Sequence, residues 1–532
     1  MSFPGQDGRA NSKQRFWQLI GLLLPVLAAA LFPVMCLILS PKKTAWVDEV
    51  YALWILRDPS FRHMFGAIRS GVDGGMPLYY VLGWLWGALF GHSLLVFRCF
   101  SAVALGAATL LLWKVLLRHY SASATAIGLS AAVLNSWIVM VQSAEIRFYG
   151  LYALAAVCVF AAYARLDRNR WGLSDGLLLF FANTFLLYSH VFGIVYSIAA
   201  LAGFVIWDKQ QARLRLALYA FVAASWLTLL PLLPTLRHIG DLGKPHNWMT
   251  PPLFREVIEV YGFVSVSFSF SILAVFALLL CSNLPRRPST PSLLLYVALS
   301  FMLIPIVAAI KSHFGTVVAV DRYYVPTIFA TGVLLTAILD SFGLSVRAMA
   351  AKLLVPWACL LAFLISYPIV YSYQMPDEVL AYRYDRLEEL LAQQIPPDFP
   401  VVVEDANTFL PLTLYRRPHG PQYYYPLDWD AALASASLHA TVQSKLLRNW
   451  KNAGYLSGNV LSSQEIRCRF DAFVVLRSPE MAWFEQRIQD DPNYSARPAM
   501  DLPAVPHPGP NVAWVVQRVT PRNCGDSLAP SH

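Results

Sequence analysis

The sequence predicts a mainly α-helical, polytopic membrane protein with a small α/β domain at its carboxyl end. Of 532 residues, 57% are hydrophobic and 14% charged, with mean hydropathy +0.49, whereas soluble domains carry about 25% charged residues. The apolar residues fall in runs long enough to cross a hydrocarbon core of about 30 Å. These runs stop near residue 372, beyond which the composition turns polar. The net charge of +9 does not point to nucleic acid, because Arg and Lys cluster in short turns between the runs, where they set topology.

Spans are expected near 16–40, 94–117, 122–141, 149–165, 174–190, 191–207, 214–235, 263–282, 291–310, 323–340 and 353–372, about eleven in all. The first run follows Arg9, Lys13 and Arg15 and is longer than the roughly 7–15 residues of a secretory signal, so it reads as an uncleaved span. The stretch PLYYVLGWLWGALFG (77–91) would reach only about 22 Å as a helix, which makes it interfacial or re-entrant. With a cytoplasmic amino end, the inside loops are then RHYSAS (118–123), RLDRNR (165–170), DKQQARLR (208–215), NLPRRP (283–288) and VRAMAAK (346–352). Each contains Arg or Lys, as the positive-inside rule asks. A crossing at 77–91 would invert all of them. The carboxyl end therefore falls outside.

The tail reads as a separate domain over 373–532, and the transmembrane domain as 1–372 with an outer loop at 41–93. FPVVVEDA (399–406), FDAFVVLR (470–477) and NVAWVVQRV (511–519) have strand character. YDRLEELLAQQ (384–394) and ATVQSKLLRNW (440–450) have helical spacing. Five cysteines (Cys36, Cys99, Cys158, Cys281, Cys359) lie in apolar runs and behave as small hydrophobes. Cys468 and Cys524 lie in the tail, where an oxidising compartment would allow a disulfide.

This count of spans gathers WVDEVYA (46–52), QSAEIRFYG (142–150), LYSHVFG (187–193), GDLGKPHNW (240–248) and KSHFGTVVAVDRYY (311–324) at the outer ends. Ionisable groups near the bilayer cost about 2.5–3.5 kcal/mol on insertion scales, so they point to function. Asp48 and Glu49 share that face with Arg147, His190, Lys311, His313 and Arg322. A carboxylate can act as general base toward a hydroxyl, and fixed cations can stabilise a phosphate leaving group. Tyr51, Trp54, Phe148 and Tyr149 can flank a sugar ring or a prenyl chain. Plainer readings exist for each residue. The acidic pair suits a helix amino terminus, Arg147 could close a turn with Glu145, and His190 could be a satisfied interfacial histidine. Arg322, Tyr323 and Tyr324 could form an interfacial anchor, and Lys244 and His246 could belong to an ordinary loop or to a lid.

In these elements the chain resembles the GT-C glycosyltransferases, in particular the protein O-mannosyltransferase and aminoarabinose transferase group (glycosyltransferase family 39 and its bacterial relatives). The resemblance rests on Asp48-Glu49 after the first span and on Pro77-Leu78-Tyr79-Tyr80 in the same loop. It continues through Glu145, Arg147 and Tyr149, then Ser189-His190, then Asp321-Arg322-Tyr323, and covers about residues 16–372. Relatives often have His-Pro-Pro-Leu where this chain has Gly75-Met76-Pro77-Leu78. That substitution puts in doubt the divalent metal some relatives use, and no cofactor is otherwise implied.

The resemblance implies inverting transfer of a sugar from a polyprenyl-phosphate donor to a hydroxyl of a protein, lipid or glycan. Asp48 would be the base, Glu49 would orient it or bind sugar hydroxyls, and Arg147 and Arg322 would hold the donor phosphate with Lys311 as a third cation. Glu145, Tyr149, His190, Tyr323 and Tyr79 complete the expected substrate site. The expected location is a bacterial inner membrane, with the site and the tail facing the periplasm. Two rivals come from other classes, a secondary transporter and a non-catalytic scaffold. Transporters place charges near the midplane on repeated, broken helices, and this chain shows neither pattern.

Overall fold

A computed structural model of the protein describes residues 25–134, 136–167, 171–261, 292–341, 384–478, 481, 483–501 and 512–520. The expected spans 263–282 and 353–372 lie outside these, as do Cys281, Cys359 and Cys524. The chain forms two compact units, one of Met1–Leu39, Ser93–Pro231 and Met249–Gln374, the other of Ser40–His92, Leu232–Trp248 and Met375–His532.

Among the described residues, five helices are long and apolar enough to cross a membrane: Leu94–Leu116, Tyr149–Asp167, Leu216–Leu242, Leu293–Phe314 and Asp321–Ser341. The expected span at 122–141 is bent by 70° between Ala124–Leu134 and Trp137–Ser143. Ser136 accepts the amide of Val139 and so starts a new helix there. Within the first unit, Leu94–Leu116 and Tyr149–Ala164 meet in backbone contact. A side chain at Gly150 would collide with the Ser101 carbonyl, an example of small residues admitting close helix packing. Several polar groups inside this bundle pair with one another. Ser197 donates to Asn183 at 2.7 Å while accepting from Trp226 at 2.8 Å, and Thr327 bridges Tyr196 and the Phe301 carbonyl. With no water in hydrocarbon to satisfy them, such groups must find each other.

The turns expected on the inside are tied together by charge. Asp208 and Arg215 are both buried, with contacts of 2.9 and 2.6 Å. Tyr219 also donates to Asp208, at 2.6 Å, and Arg215 reaches the Leu166 carbonyl at 2.9 Å. Asp167 accepts the amide of Leu293 at 2.9 Å, and Asp340 that of Ser121 at 2.8 Å. These turns therefore hold helices in register.

The second unit centres on a six-stranded sheet of order β3-β2-β1-β4-β6-β5, built from β1 (Pro400–Val403), β2 (Gln422–Leu427), β3 (Val460–Ser462), β4 (Ala472–Arg477), β5 (Tyr494–Asp501) and β6 (Val512–Arg518). The first four in that order run parallel, and β6 runs antiparallel to both of its neighbours, β4 and β5. Strands β1, β4 and β6 fall where β-branched runs predict them. Strand β2 carries Pro426, which is tolerated because pairing with β1 ends at Tyr424 and only β3 faces Pro426. A buried layer of Val402, Ile466, Phe473, Val475, Phe484 and Val516 forms the core.

The segment 40–92 folds with this domain. Trp450, fully buried on helix Ala440–Asn452, donates its indole N–H to the Val72 carbonyl at 2.8 Å, and Asn449 binds the Gly71 carbonyl at 2.9 Å. Segment 232–248 docks on the same helix, with Lys445 bonding the Asp241 and Lys244 carbonyls at 2.5 and 2.6 Å. His63 forms a second tie. Its Nδ1 meets Asp58, and its Nε2 lies 2.7 Å from the Ala453 carbonyl. A carboxylate and a carbonyl only accept, so both ring nitrogens must donate and His63 is an imidazolium. Hydrogen bonding to Asp58, with the Ala453 carbonyl, holds its pKa above the ordinary value. For Asp58, burial pushes upward, but hydrogen bonds from Tyr455, the Ser60 amide and His63 outweigh it and keep the carboxyl low.

Two outcomes follow from these ties. Arg215→Met leaves Asp208 buried without its main partner, costing about 3–5 kcal/mol. Thermal unfolding in detergent should show a larger fall in Tm than for Arg213→Met, whose side chain is 32% exposed and 3.5 Å from Asp208. Because its folded pKa is raised, the stability contributed by His63 is complete below its unfolded pKa of about 6.5 and is lost as pH rises through the folded value. The drop in Tm between about pH 6 and pH 9 should therefore be larger in the wild-type protein than in His63→Gln; equal drops would remove the imidazolium assignment.

Candidate functional site

In the second unit, helix Val47–Leu56 begins at Trp46, which makes no side-chain cap. Asp48 and Glu49 occupy its first turn, where carboxylates complement the positive end of the helix. Successive helical residues point about 100° apart, and the two acids have different surroundings. Glu49 is fully buried, with Oε2 3.4 Å from the Nζ of Lys43, itself 4% exposed. Asp48 is half-buried. The amide of Ala45, between Lys43 and the helix, donates to the Tyr415 hydroxyl at 2.7 Å.

The helix packs on Ala406–Tyr415 of the sheet domain and on Pro77–Phe90. Gly83 of the latter sits against Leu56, whose side chain would have to move for any Cβ there. Tyr51 meets Trp450 edge-on at 5.0 Å. Burial raises the pKa of the Tyr51 hydroxyl well above its usual value, reinforced by Tyr425 and by the carboxylates of Asp48, Asp73 and Asp405, so it stays a neutral phenol. Tyr79 is buried with its ring 5.3 Å from that of Tyr80, and Tyr80 donates to Asp73. Asp73, buried and also accepting the Gly74 amide at 2.7 Å, was not expected from the sequence.

The first unit holds a second cluster. Ser101 donates to the Arg147 carbonyl at 2.7 Å beside the Gly150 crossing, which anchors the turn carrying Glu145 and Arg147. Both of these side chains are buried, and the Arg147 guanidinium lies 4.6 Å from the centre of the Phe148 ring. Arg322 donates from Nε to the Tyr149 hydroxyl at 3.0 Å, and its amide donates to Asp321 at 2.6 Å.

His190 is enclosed by rings, those of Tyr152 at 4.5 Å, Tyr323 at 4.9 Å and Phe148 at 5.0 Å. Its Nδ1 accepts the Phe192 amide at 3.0 Å, which leaves the ring proton on Nε2 and the imidazole neutral. Arg147, Tyr149, His190, Arg322 and Tyr323 thus form one guanidinium and aromatic cluster. Lys311 is exposed on the last turn of Ile304–Phe314, and no hydrogen bond or ion pair joins it to the cluster among the described residues. His313 contacts the Pro252 carbonyl at 3.0 Å. Among the described residues, no group of three or more His, Cys, Asp or Glu is placed to hold a metal ion.

No protein-family model matches the chain, and no curated protein matches it. Solved structures do. ArnT from Cupriavidus metallidurans in the apo state is similar over 93% of this chain and 98% of that one, with TM-score 0.57 and 13% identity. The same protein bound to undecaprenyl phosphate is similar over 92% and 97%, with TM-score 0.56 and 13% identity. At that identity the likeness is one of fold. The chain shares the fold of these structures, a mainly α multi-pass membrane protein with a small α/β carboxyl-terminal domain, as the sequence predicts.

Proposed function

We propose that the protein is an inverting membrane glycosyltransferase that moves a sugar from a polyprenyl-phosphate donor to a hydroxyl of a protein, lipid or glycan at the outer face. The observation that carries this reading is the unequal state of the acidic pair on a GT-C-type fold. Glu49 is buried against Lys43, whereas Asp48 is half-buried at the head of its helix. Asp48 is the base and accepts the acceptor hydroxyl proton. The acceptor oxygen bonds to the anomeric carbon as the bond from that carbon to the phosphate oxygen breaks, and polyprenyl phosphate leaves with the electron pair. A phosphate leaving group needs no general acid, so one carboxylate suffices, unlike the pair used in glycoside hydrolysis.

Arg147 and Arg322 hold the donor phosphate, since planar guanidinium groups match its oxygens. Buried rings around His190 suit the sugar or the first isoprene units. ArnT's bound undecaprenyl phosphate supports a carrier of that kind here. The location we assign is a bacterial inner membrane with the tail in the periplasm. Cys468 is disulfide-bonded, which fits an oxidising compartment.

The test is transfer of a labelled sugar from a series of polyprenyl-phosphate donors by the purified protein. Asp48→Asn should lower kcat by about 10²- to 10⁴-fold at unchanged Tm. Arg322→Lys should raise the donor KM while leaving the protein folded, because an ammonium cannot reproduce the fork. Full activity in Asp48→Asn removes that residue as base. Absence of transfer with every donor, combined with solute uptake by proteoliposomes, would favour a transporter.

A further inference from the structure

Nothing in the sequence marks Lys43. It ends the run SPKK, just past an apolar segment, where a lysine ordinarily reads as an interfacial anchor. Its side chain is instead 4% exposed and lies 3.4 Å from a carboxylate that is itself fully buried. A long, strongly hydrated ammonium does not enter an interior without a strong partner. The segment that carries it is also held by the Tyr415 hydroxyl, which accepts the Ala45 amide at 2.7 Å. Tyr415 closes helix Ala406–Tyr415, and this helix packs along Val47–Leu56. Further along, Tyr51 lies against Trp450.

We infer that Lys43 is the positioning residue for the reactive carboxylate, and that the tail domain, through Tyr415, holds Lys43 in place. The inference rests on the reading of Asp48 as base. With Glu49 drawn inward by Lys43, the first turn of the helix has only one orientation about its axis, and Asp48 follows at about 100° from Glu49. Glu49, enclosed and ion-paired, keeps this orientation and does not reach sugar hydroxyls. The small α/β domain then has a defined task. It supports the head of the helix that carries the base, and Tyr415 is the contact through which it acts.

The test compares Lys43→Met, Lys43→Arg, Tyr415→Phe and the double variant Lys43→Met/Glu49→Gln in the full-length protein, reading kcat, KM and Tm together. Misplacing a base by about 1 Å costs on the order of 10²-fold. Lys43→Met should therefore lose about that much in kcat at nearly unchanged KM, and Lys43→Arg should recover most of it. Tyr415→Phe should show a smaller loss of the same kind. The double variant leaves no uncompensated buried charge, so it should regain wild-type Tm while kcat stays low. A double variant that regains both Tm and kcat makes the pair merely structural and overturns the inference, as does a Lys43→Met protein with wild-type kcat. If the wild-type protein transfers no sugar from any donor, the parent reading falls and takes this one with it; wild-type transfer with an indifferent Lys43 overturns this one alone.

Discussion

A charge taken out of water must be answered by another charge or by several hydrogen bonds, and in this protein that constraint orders each unit separately. In the helical unit it pairs Asp208 with Arg215 and Tyr219. In the sheet-bearing unit it pairs Glu49 with Lys43, and Asp58 with His63 and Tyr455. Removing one member of such a set strands the others, whereas apolar replacement of a whole set is often neutral. These sets are therefore poor evidence for stability and good evidence for geometry. They state which backbone segments must lie side by side.

Within the sheet-bearing unit, the consequence is a division of labour between neighbours in sequence. Asp48 and Glu49 are chemically similar and adjacent, yet one is committed to an internal partner and the other is half-buried. The same unit places Asp73 and Asp405 within electrostatic reach of the Tyr51 phenol. In the helical unit the arrangement is the reverse. Two guanidinium groups sit among neutral rings, and His190 is kept uncharged by the Phe192 amide. An imidazolium between two arginines would add to their repulsion, and a neutral ring avoids it.

Much of the fold was legible because its elements announce themselves locally. The runs at 94–117 and 149–165 are long and continuous, and the β-branched stretches of β1, β4 and β6 admit one reading. Strand β2 was hidden by Pro426, β3 by its length of three residues and β5 by Pro498, where the ladder shifts register. Long-range partnership was not legible at all. Tyr455 bonds Asp58 across 397 residues and Tyr415 reaches Ala45 across 370, and no local pattern encodes either contact. The candidate residues Asp48, Arg147, His190 and Arg322 were visible as ionisable groups at span ends. What the sequence concealed was their state: which acid is buried, which histidine is neutral, and that Lys43 rather than Lys311 faces a carboxylate.

The proposed function requires that Asp48 and the two arginines face the same side of the membrane. Cysteine labelling with a membrane-impermeant maleimide tests it most directly, using exposed sites in a protein otherwise free of reactive cysteines. Lys42→Cys, Lys311→Cys and Gln211→Cys all lie at exposed positions. Labelling of residues 42 and 311 from outside, with 211 labelled only after permeabilisation, is the predicted result. Residues 42 and 311 labelled from opposite sides would contradict the account.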